Sequence, residues 1–233
     1  MSTKRAIVTG VGPGTGSSIV RRLAAGGYEV AMISRSKDRL KAFEAEFAGS
    51  RGFVADVSDP TQLDLALDNI YDNFGASEVV IHNAVSSMLG NFMEIESARM
   101  LQNFQTNVMA FLHLARRVTP PMIKAGKGVL IASGNTSALR GKSNYAAFAP
   151  TKAAQRILAE SIAREVGPQG VHVAYVLIDA VIDLEWTRQR LPDKPDDYFI
   201  QPADIAEEVW HVIHQPKGAW SFNVELRPFK EVW

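Results

Sequence analysis

The 233 residues are 46% apolar and 21% charged, enough for one sizeable core and too few for two ordinary domains, so a single domain over 1–233 is expected. Twenty-five basic and 25 acidic residues cancel, which argues against nucleic acid or an acidic membrane surface as a partner. The chain has no cysteine and no run of about 18 apolar residues, which excludes disulfides, a thiol nucleophile and a bilayer-spanning helix.

Short β-branched runs alternate with longer stretches of helical period. Residues 6–9 predict a buried strand that runs into glycines. Residues 17–25 place Ile19, Val20, Leu23 and Ala24 on one helix face. A strand follows at 29–34, a helix at 37–47, and a third strand at 53–57 closed by an Asp59-Pro60 turn. Residues 61–74 return to helix and 78–82 to strand. Residues 97–124 predict one long helix with Phe104, Val108, Phe111, Leu112 and Ala115 on a shared face. Strands at 129–132 and 171–178 flank a helix at 146–166. Residues 183–200 lose periodicity and mix charge, proline and aromatics, so an exposed, mobile loop beside the substrate is expected there. A helix at 203–214 and an edge strand at 221–226 end the chain. The alternation implies an α/β fold, a doubly wound, Rossmann-like parallel sheet of about seven strands with a ligand at the strands' carboxyl ends.

Between the first strand and first helix stands Thr9-Gly10-Val11-Gly12-Pro13-Gly14-Thr15-Gly16. Glycines permit positive φ and let backbone N–H groups approach a ligand closely. The helix N-terminus behind them offers unpaired donors and partial positive charge. After a first strand, that combination points to the pyrophosphate of a dinucleotide rather than an ordinary turn. At the end of the second strand such folds place an acid on the adenosine ribose. This chain has Ser34-Arg35 instead. An arginine pairs with a 2′-phosphate that a carboxylate would repel. NADP(H) is therefore expected over NAD(H), with a solvated helix-opening arginine as the alternative.

The glycine spacing TGxxxGxG resembles that of the short-chain dehydrogenase/reductase family, and the resemblance runs over nearly the whole chain. Asp56-Val57 resembles the family's adenine-contacting pair. Asn83-Ala84 resembles its Asn-Ala-Gly motif, with Val85 in place of the glycine. Asn107 falls at the Asn of the long central helix, and Lys152 at the Lys of its YxxxK motif. The resemblance implies a nicotinamide cofactor, a small-molecule substrate and a homodimer or homotetramer. In the family, a Tyr exchanges the substrate proton, the Lys tunes it and holds the nicotinamide ribose, a Ser binds the substrate oxygen, and the Asn supports a proton relay.

The pattern breaks at two of those four positions. Registered on Lys152, the Tyr position holds Phe148 and the Ser position Asn135. Phenylalanine has no exchangeable proton and cannot act as an acid or base. Asn135 retains an amide donor for an oxyanion. Tyr145, one helical turn before Phe148, is either a displaced proton donor or an aromatic support. Of the nearby hydroxyls of Ser133, Thr136 and Ser137, Thr136 is the preferred substitute, against local hydrogen bonding as the alternative. The expected function is an NADP(H)-dependent oxidoreductase with a non-standard proton donor; a catalytically weak dinucleotide-binding sensor, scaffold or subunit stays open beside it.

The five histidines show no metal-site spacing, and no metal is expected. His82, just before Asn83, reads as a core or rim residue, with a place in the lining of the cofactor cleft as the alternative. Trp210, Trp220 and Trp233 hint at a subunit contact. The N-terminus lacks the long apolar region of a signal peptide, so a cytoplasmic location is expected.

Overall fold

Strand residues that are apolar on both faces demand cover on both sides, and the computed structural model, which describes residues 3–230, supplies it. In chain order the elements are β1 (Lys4–Thr9), α1 (Thr15–Ala25), β2 (Tyr28–Ser34), α2 (Lys37–Glu46), β3 (Ser50–Val54), α3 (Pro60–Asn73) and β4 (Val79–His82). The second half holds α4 (Ser97–Phe104), α5 (Ala110–Ala125), β5 (Gly128–Asn135), α6 (Ala149–Val166) and β6 (Val171–Ile178). The short β7 (Val181–Ile182), α7 (Glu185–Arg190) and β8 (Phe199–Ile200) precede α8 (Pro202–Ile213) and β9 (Asn223–Leu226).

Seven strands pair in parallel in the order β3-β2-β1-β4-β5-β6-β9, so the winding reverses between β1 and β4. The strand period of two sorts side chains between two cores. Ile7, Val80 and Leu130 face Leu67, Phe111 and Ala159 of α3, α5 and α6. Ala6, Val8 and Ile131 face Ile19, Leu40 and Val209 of α1, α2 and α8. The expected single α/β, Rossmann-like sheet is the observed one. No helix among the described residues is long and apolar enough to cross a membrane.

Four expectations need correction. The third strand is Ser50–Val54 rather than 53–57. Ala55 makes one last bond to Ser34 O at 3.2 Å. Asp56 Oδ1 then takes the Ser58 N–H at 2.9 Å, a local side-chain bond that competes with the ladder. Asp59 caps α3 through Thr61 N at 2.9 Å, with Pro60 leading the first turn.

The helix expected over 97–124 is interrupted by a π-helical turn at Gln105–Met109. Its α5 half contains Pro120 and Pro121, and Pro121 cannot serve the Arg117 carbonyl. The Tyr71 hydroxyl of α3 donates to that carbonyl instead, at 3.1 Å. The helix expected over 146–166 starts only at Ala149, and Phe148 is its first flanking residue.

Residues 183–200 are no irregular loop. Arg188 donates to Asp183 Oδ1 and Oδ2 at 2.6 and 2.9 Å and to Asp196 at 2.6 Å. Gln201 adds a bond to Asp183 at 2.7 Å. Polar pairing rather than an apolar stripe orders α7, which is why hydrophobic periodicity misses it. Trp210 and Trp220 are engaged within the chain: the Arg22 guanidinium lies 3.7 Å over one, and His172 stacks on the other at 4.9 Å. Trp233 lies outside the described residues.

Candidate active site

A cavity of about 1240 Å³ opens at the carboxyl ends of β1, β2, β4 and β5, where the winding reverses. That is where open α/β sheets bind ligands. All the expected glycine-turn residues line it, with Ser34, Arg35, Asp56, Val57, Asn83, Ala84, Asn135 and Lys152.

The turn is pinned to the sheet. Gly10 N donates to Ile33 O at 2.9 Å, and the Asn83 side-chain amide donates to Gly10 O at 3.1 Å. Gly10 has φ +70°, and a Cβ there would stand 2.4 Å from the Ala84 backbone. A Cβ on Gly16 would stand 2.7 Å from Gly10 O. Beside Gly12 there is open space. Gly14 gives α1 no side-chain cap, and no acid stands in the first turn. A close-packed loop thus presents a helix N-terminus to the cavity, the donor set a pyrophosphate requires.

At the far end the Arg35 side chain is 78% exposed, and Asp56 lies 3.9 Å away. Asp56 Oδ1 takes the Ser58 hydroxyl at 2.7 Å and the Ser58 N–H, and the long contact to Arg35 is made by Oδ2. Arg35 is therefore only loosely held. Arg39, one turn along α2, lines the same end. Sequence reading missed it, although its spacing of four from Arg35 was the available signal.

The inner end is built from buried polar groups. His82 Nε2 donates to Thr106 O at 3.2 Å, which leaves Nδ1 to accept from Thr9 Oγ1 at 3.0 Å. Burial, with the nearby Lys152 charge, pushes His82 down to about 3, so it is neutral. Asn107 is saturated: its amide donates to Ser86 O and Thr151 Oγ1, each at 2.8 Å, and accepts from Ser86 N at 2.9 Å. It ties the loop after β4 to α6. Asn103, which sequence reading missed, repeats the device one turn earlier, donating to Met88 O and Ala147 O. Nothing local distinguishes a buried asparagine from a solvated one.

Lys152 is 1% exposed. Its Nζ donates to Ser133 O at 3.0 Å and Gln155 Oε1 at 2.6 Å. Burial pulls its pKa down to about 7. Asn135 lines the cavity, and its side-chain oxygen accepts from Ser137 N at 3.1 Å. Thr136 is not in the cavity wall; its hydroxyl donates to the buried Asp179 at 2.7 Å. Tyr145 sits in the turn before α6 rather than within it, and lines a second cavity of about 550 Å³. Phe148 is 3% exposed, its ring 6.2 Å from that of Tyr145. Across the cavity mouth stand Leu184, Trp186 and Gln189 of the α7 segment, none anticipated individually.

A family model described as short chain dehydrogenase matches residues 4–189. The chain is similar to L-xylulose reductase of Cavia porcellus, 28% identical over 174 residues, 74% of this chain and 70% of the relative. It is also similar to an uncharacterized oxidoreductase of Staphylococcus aureus, 24% identical over 233 residues and 98% of each chain. Among solved structures, an alcohol dehydrogenase from the archaeon Thermococcus sibiricus, complexed with 5-hydroxy-NADP, matches with a TM-score of 0.89 at 23% identity, covering 99% of each chain.

Proposed function

The chain belongs to the short chain dehydrogenase family, and from that premise we propose that it is an NADP(H)-dependent oxidoreductase acting on a carbonyl, its hydroxyl counterpart or a polarised double bond, with a proton donor other than the family's tyrosine. The carrying observation is the turn itself, where Gly10 and Gly16 leave no room for a Cβ against Ala84 and the Gly10 carbonyl. Those two glycines let the turn fold tightly back onto the sheet, so that Gly12, with open space beside it, and the uncapped N-terminus of α1 face the cavity, where an anion can approach the backbone.

Gly10, Gly12, Pro13, Gly14, Thr15 and Gly16 would hold the pyrophosphate, Ser34 and Arg35 the 2′-phosphate, and Asp56 and Val57 the adenine. Asn83 and Ala84 would hold the nicotinamide riboside, with Lys152 beside it in the same cavity wall. When bound, the nicotinamide supplies or accepts the hydride. The chain's own residues shape the rest: Asn107 and Asn103 lock the loop after β4. Asn135 offers an amide to the substrate oxygen, and the α7 segment screens the mouth from water. The name of the L-xylulose reductase relative supports carbonyl chemistry.

Calorimetry on the wild type and Arg35→Ala tests the cofactor assignment. NADPH is expected to bind at least tenfold tighter than NADH, about 1.4 kcal/mol, and Arg35→Ala to erase most of that margin. Equal affinities in the wild type overturn it. A buried Phe148 favours a second reading, a dinucleotide-binding protein with little turnover. A wild type without turnover that gains it on Phe148→Tyr, by about 10²-fold or more, would support that reading; turnover in the wild type supports the enzyme.

A further inference from the structure

The polar groups at the inner end of the cavity differ in what already holds them. Asn107 has spent its amide on Ser86 and Thr151. The Ser133 hydroxyl donates to Asn83 Oδ1 at 2.9 Å, the Ser86 hydroxyl to Asn103 Oδ1 at 2.7 Å, and the Thr136 hydroxyl to Asp179. Asn135 keeps a side-chain amide, which is no acid, and Lys152 keeps a donor that can leave as a proton. An ammonium has three N–H donors, and Ser133 O and Gln155 Oε1 take two. The third is left to the cavity that Lys152 lines.

Its second acceptor is an unusual choice of side chain. Gln155 is fully buried, one turn beyond Lys152 on α6. Its Nε2 has no hydrogen-bond partner among the described residues, a cost that a leucine there would avoid. Its Oε1 carries the value: it accepts from Lys152 Nζ and stands 3.2 Å from the Tyr175 hydroxyl of β6. That hydroxyl also lies 3.2 Å from the Lys152 carbonyl. The Tyr175 ring occupies the space of a missing side chain, since a Cβ on Gly134 would stand 2.3 Å from it. Gly134, Tyr175 and Gln155 thus form a packed bracket that holds the Lys152 ammonium.

We propose that Lys152 Nζ is the proton donor to the substrate oxygen during reduction, and that Gln155, braced by Tyr175, is the positioning residue that aims it. The proposal rests on the oxidoreductase reading above. One N–H bond of the ammonium breaks and one O–H bond forms on the substrate, leaving a neutral amine that solvent reprotonates. The hydride and its electron pair come from a reduced nicotinamide, and oxidation runs the same transfer backwards. Burial, which holds Lys152 at about 7, makes both its forms accessible near neutrality. Of the titratable groups facing it, His82 of β4 is held at about 3 and stays neutral, and Tyr175 of β6 is raised by burial and stays protonated. Asp183 and Glu185 line the same cavity from the α7 segment, Asp183 ionised against Arg188.

The decisive measurement is the titration of Lys152 in the protein without cofactor, by NMR of ¹³Cε-labelled lysine assigned with Lys152→Met. A midpoint near 7 is expected. Gln155→Glu should raise it, because a carboxylate favours the ammonium, and Gln155→Met should lower it, because the ammonium loses an acceptor. With NADPH and diacetyl as the probe carbonyl, the high-pH fall in kcat/KM should follow the same two opposite shifts, which loosened packing would not produce. A lysine titrating at its ordinary value, a midpoint indifferent to both Gln155 substitutions, or full diacetyl reduction by Lys152→Met with NADPH still bound would each overturn the proposal. Failure of the wild type to bind NADPH would overturn the oxidoreductase reading beneath it. An ordinary titration in a protein that does bind NADPH overturns this inference alone.

Discussion

Two buried bases, Lys152 in the cavity wall and His82 at the end of β4, each make the folded state release a proton that the unfolded chain keeps. Lys152 falls from 10.5 to about 7 because burial penalises the ammonium. Between those values the unfolded chain binds more protons, so stability rises with pH across that window. Above pH 10 Tyr28, raised to about 12 by burial, begins to oppose the trend, because only the unfolded tyrosine ionises there. The melting temperature of the wild type is therefore expected to climb between pH 7 and 10. Lys152→Met should be more stable at pH 7 and flat over that range. A wild-type curve already flat from pH 7 would show that Lys152 carries its charge without penalty. His82, lowered from 6.5 to about 3 by burial, gives the same sign of dependence in its own, more acidic window. Both effects arise because polar groups were placed where water cannot follow, which no property of the isolated residues announces.

At the scale of elements, the sequence pattern located every major strand and helix but misjudged where several end. Patterning records which residues want burial, whereas termini are decided by which group captures the next backbone bond. Asp56 ends β3 early by binding Ser58. Asp59 and Pro60 begin α3 where capping chemistry says they should. The central helix survives Pro120-Pro121 because α3 reaches over to it: the Tyr71 hydroxyl takes the Arg117 carbonyl that Pro121 leaves unserved. Tyr71→Phe removes that donor and keeps the ring. It is expected to cost about 1 kcal/mol in urea denaturation, the usual net value of one hydrogen bond. No measurable change would mean that water serves the Arg117 carbonyl equally well. The π-helical turn at Gln105–Met109 contains Asn107 and follows Asn103, the two asparagines that clamp the loop after β4. Hydrophobic period alone describes that stretch as regular helix.

Over the whole molecule, the segment from β7 to β8 forms one part of the cavity wall, and its two short strands pair with each other, outside the seven-stranded sheet. It meets the phosphate turn where Leu184 packs against Gly14, and its internal order rests on Arg188 bridging Asp183 and Asp196. Asp196 is almost fully exposed and Arg188 and Asp183 are partly so, and pairs open to solvent shape a segment more than they stabilise it. Such a segment can open to admit cofactor and substrate and close over them. Hydrogen exchange over 183–200 is expected to be measurable in the protein alone and slower with NADPH. Arg188→Ala should speed exchange in the free protein and weaken NADPH binding. Full protection without NADPH would rule out a lid.

The sequence by itself determined the α/β class, the strand order's raw material and the phosphate turn. These depend on period, glycine and short capping signals, which act over a few residues and are written locally. It also marked Arg35, Asp56, Asn83 and Lys152, which the structure gathers around one cavity. Only the tertiary structure decided what the remaining polar residues face. It put Thr136 on Asp179, Tyr145 in the second cavity and Asn107 into the clamp on the loop after β4. It brought Gln155 and Tyr175 against Lys152 from α6 and β6, and it ordered α7 through charges rather than apolar contact. The physical reason is that a polar side chain has the same local signature in water and in a core. Its partner, often many residues away in the chain, is chosen by the packing of the whole sheet.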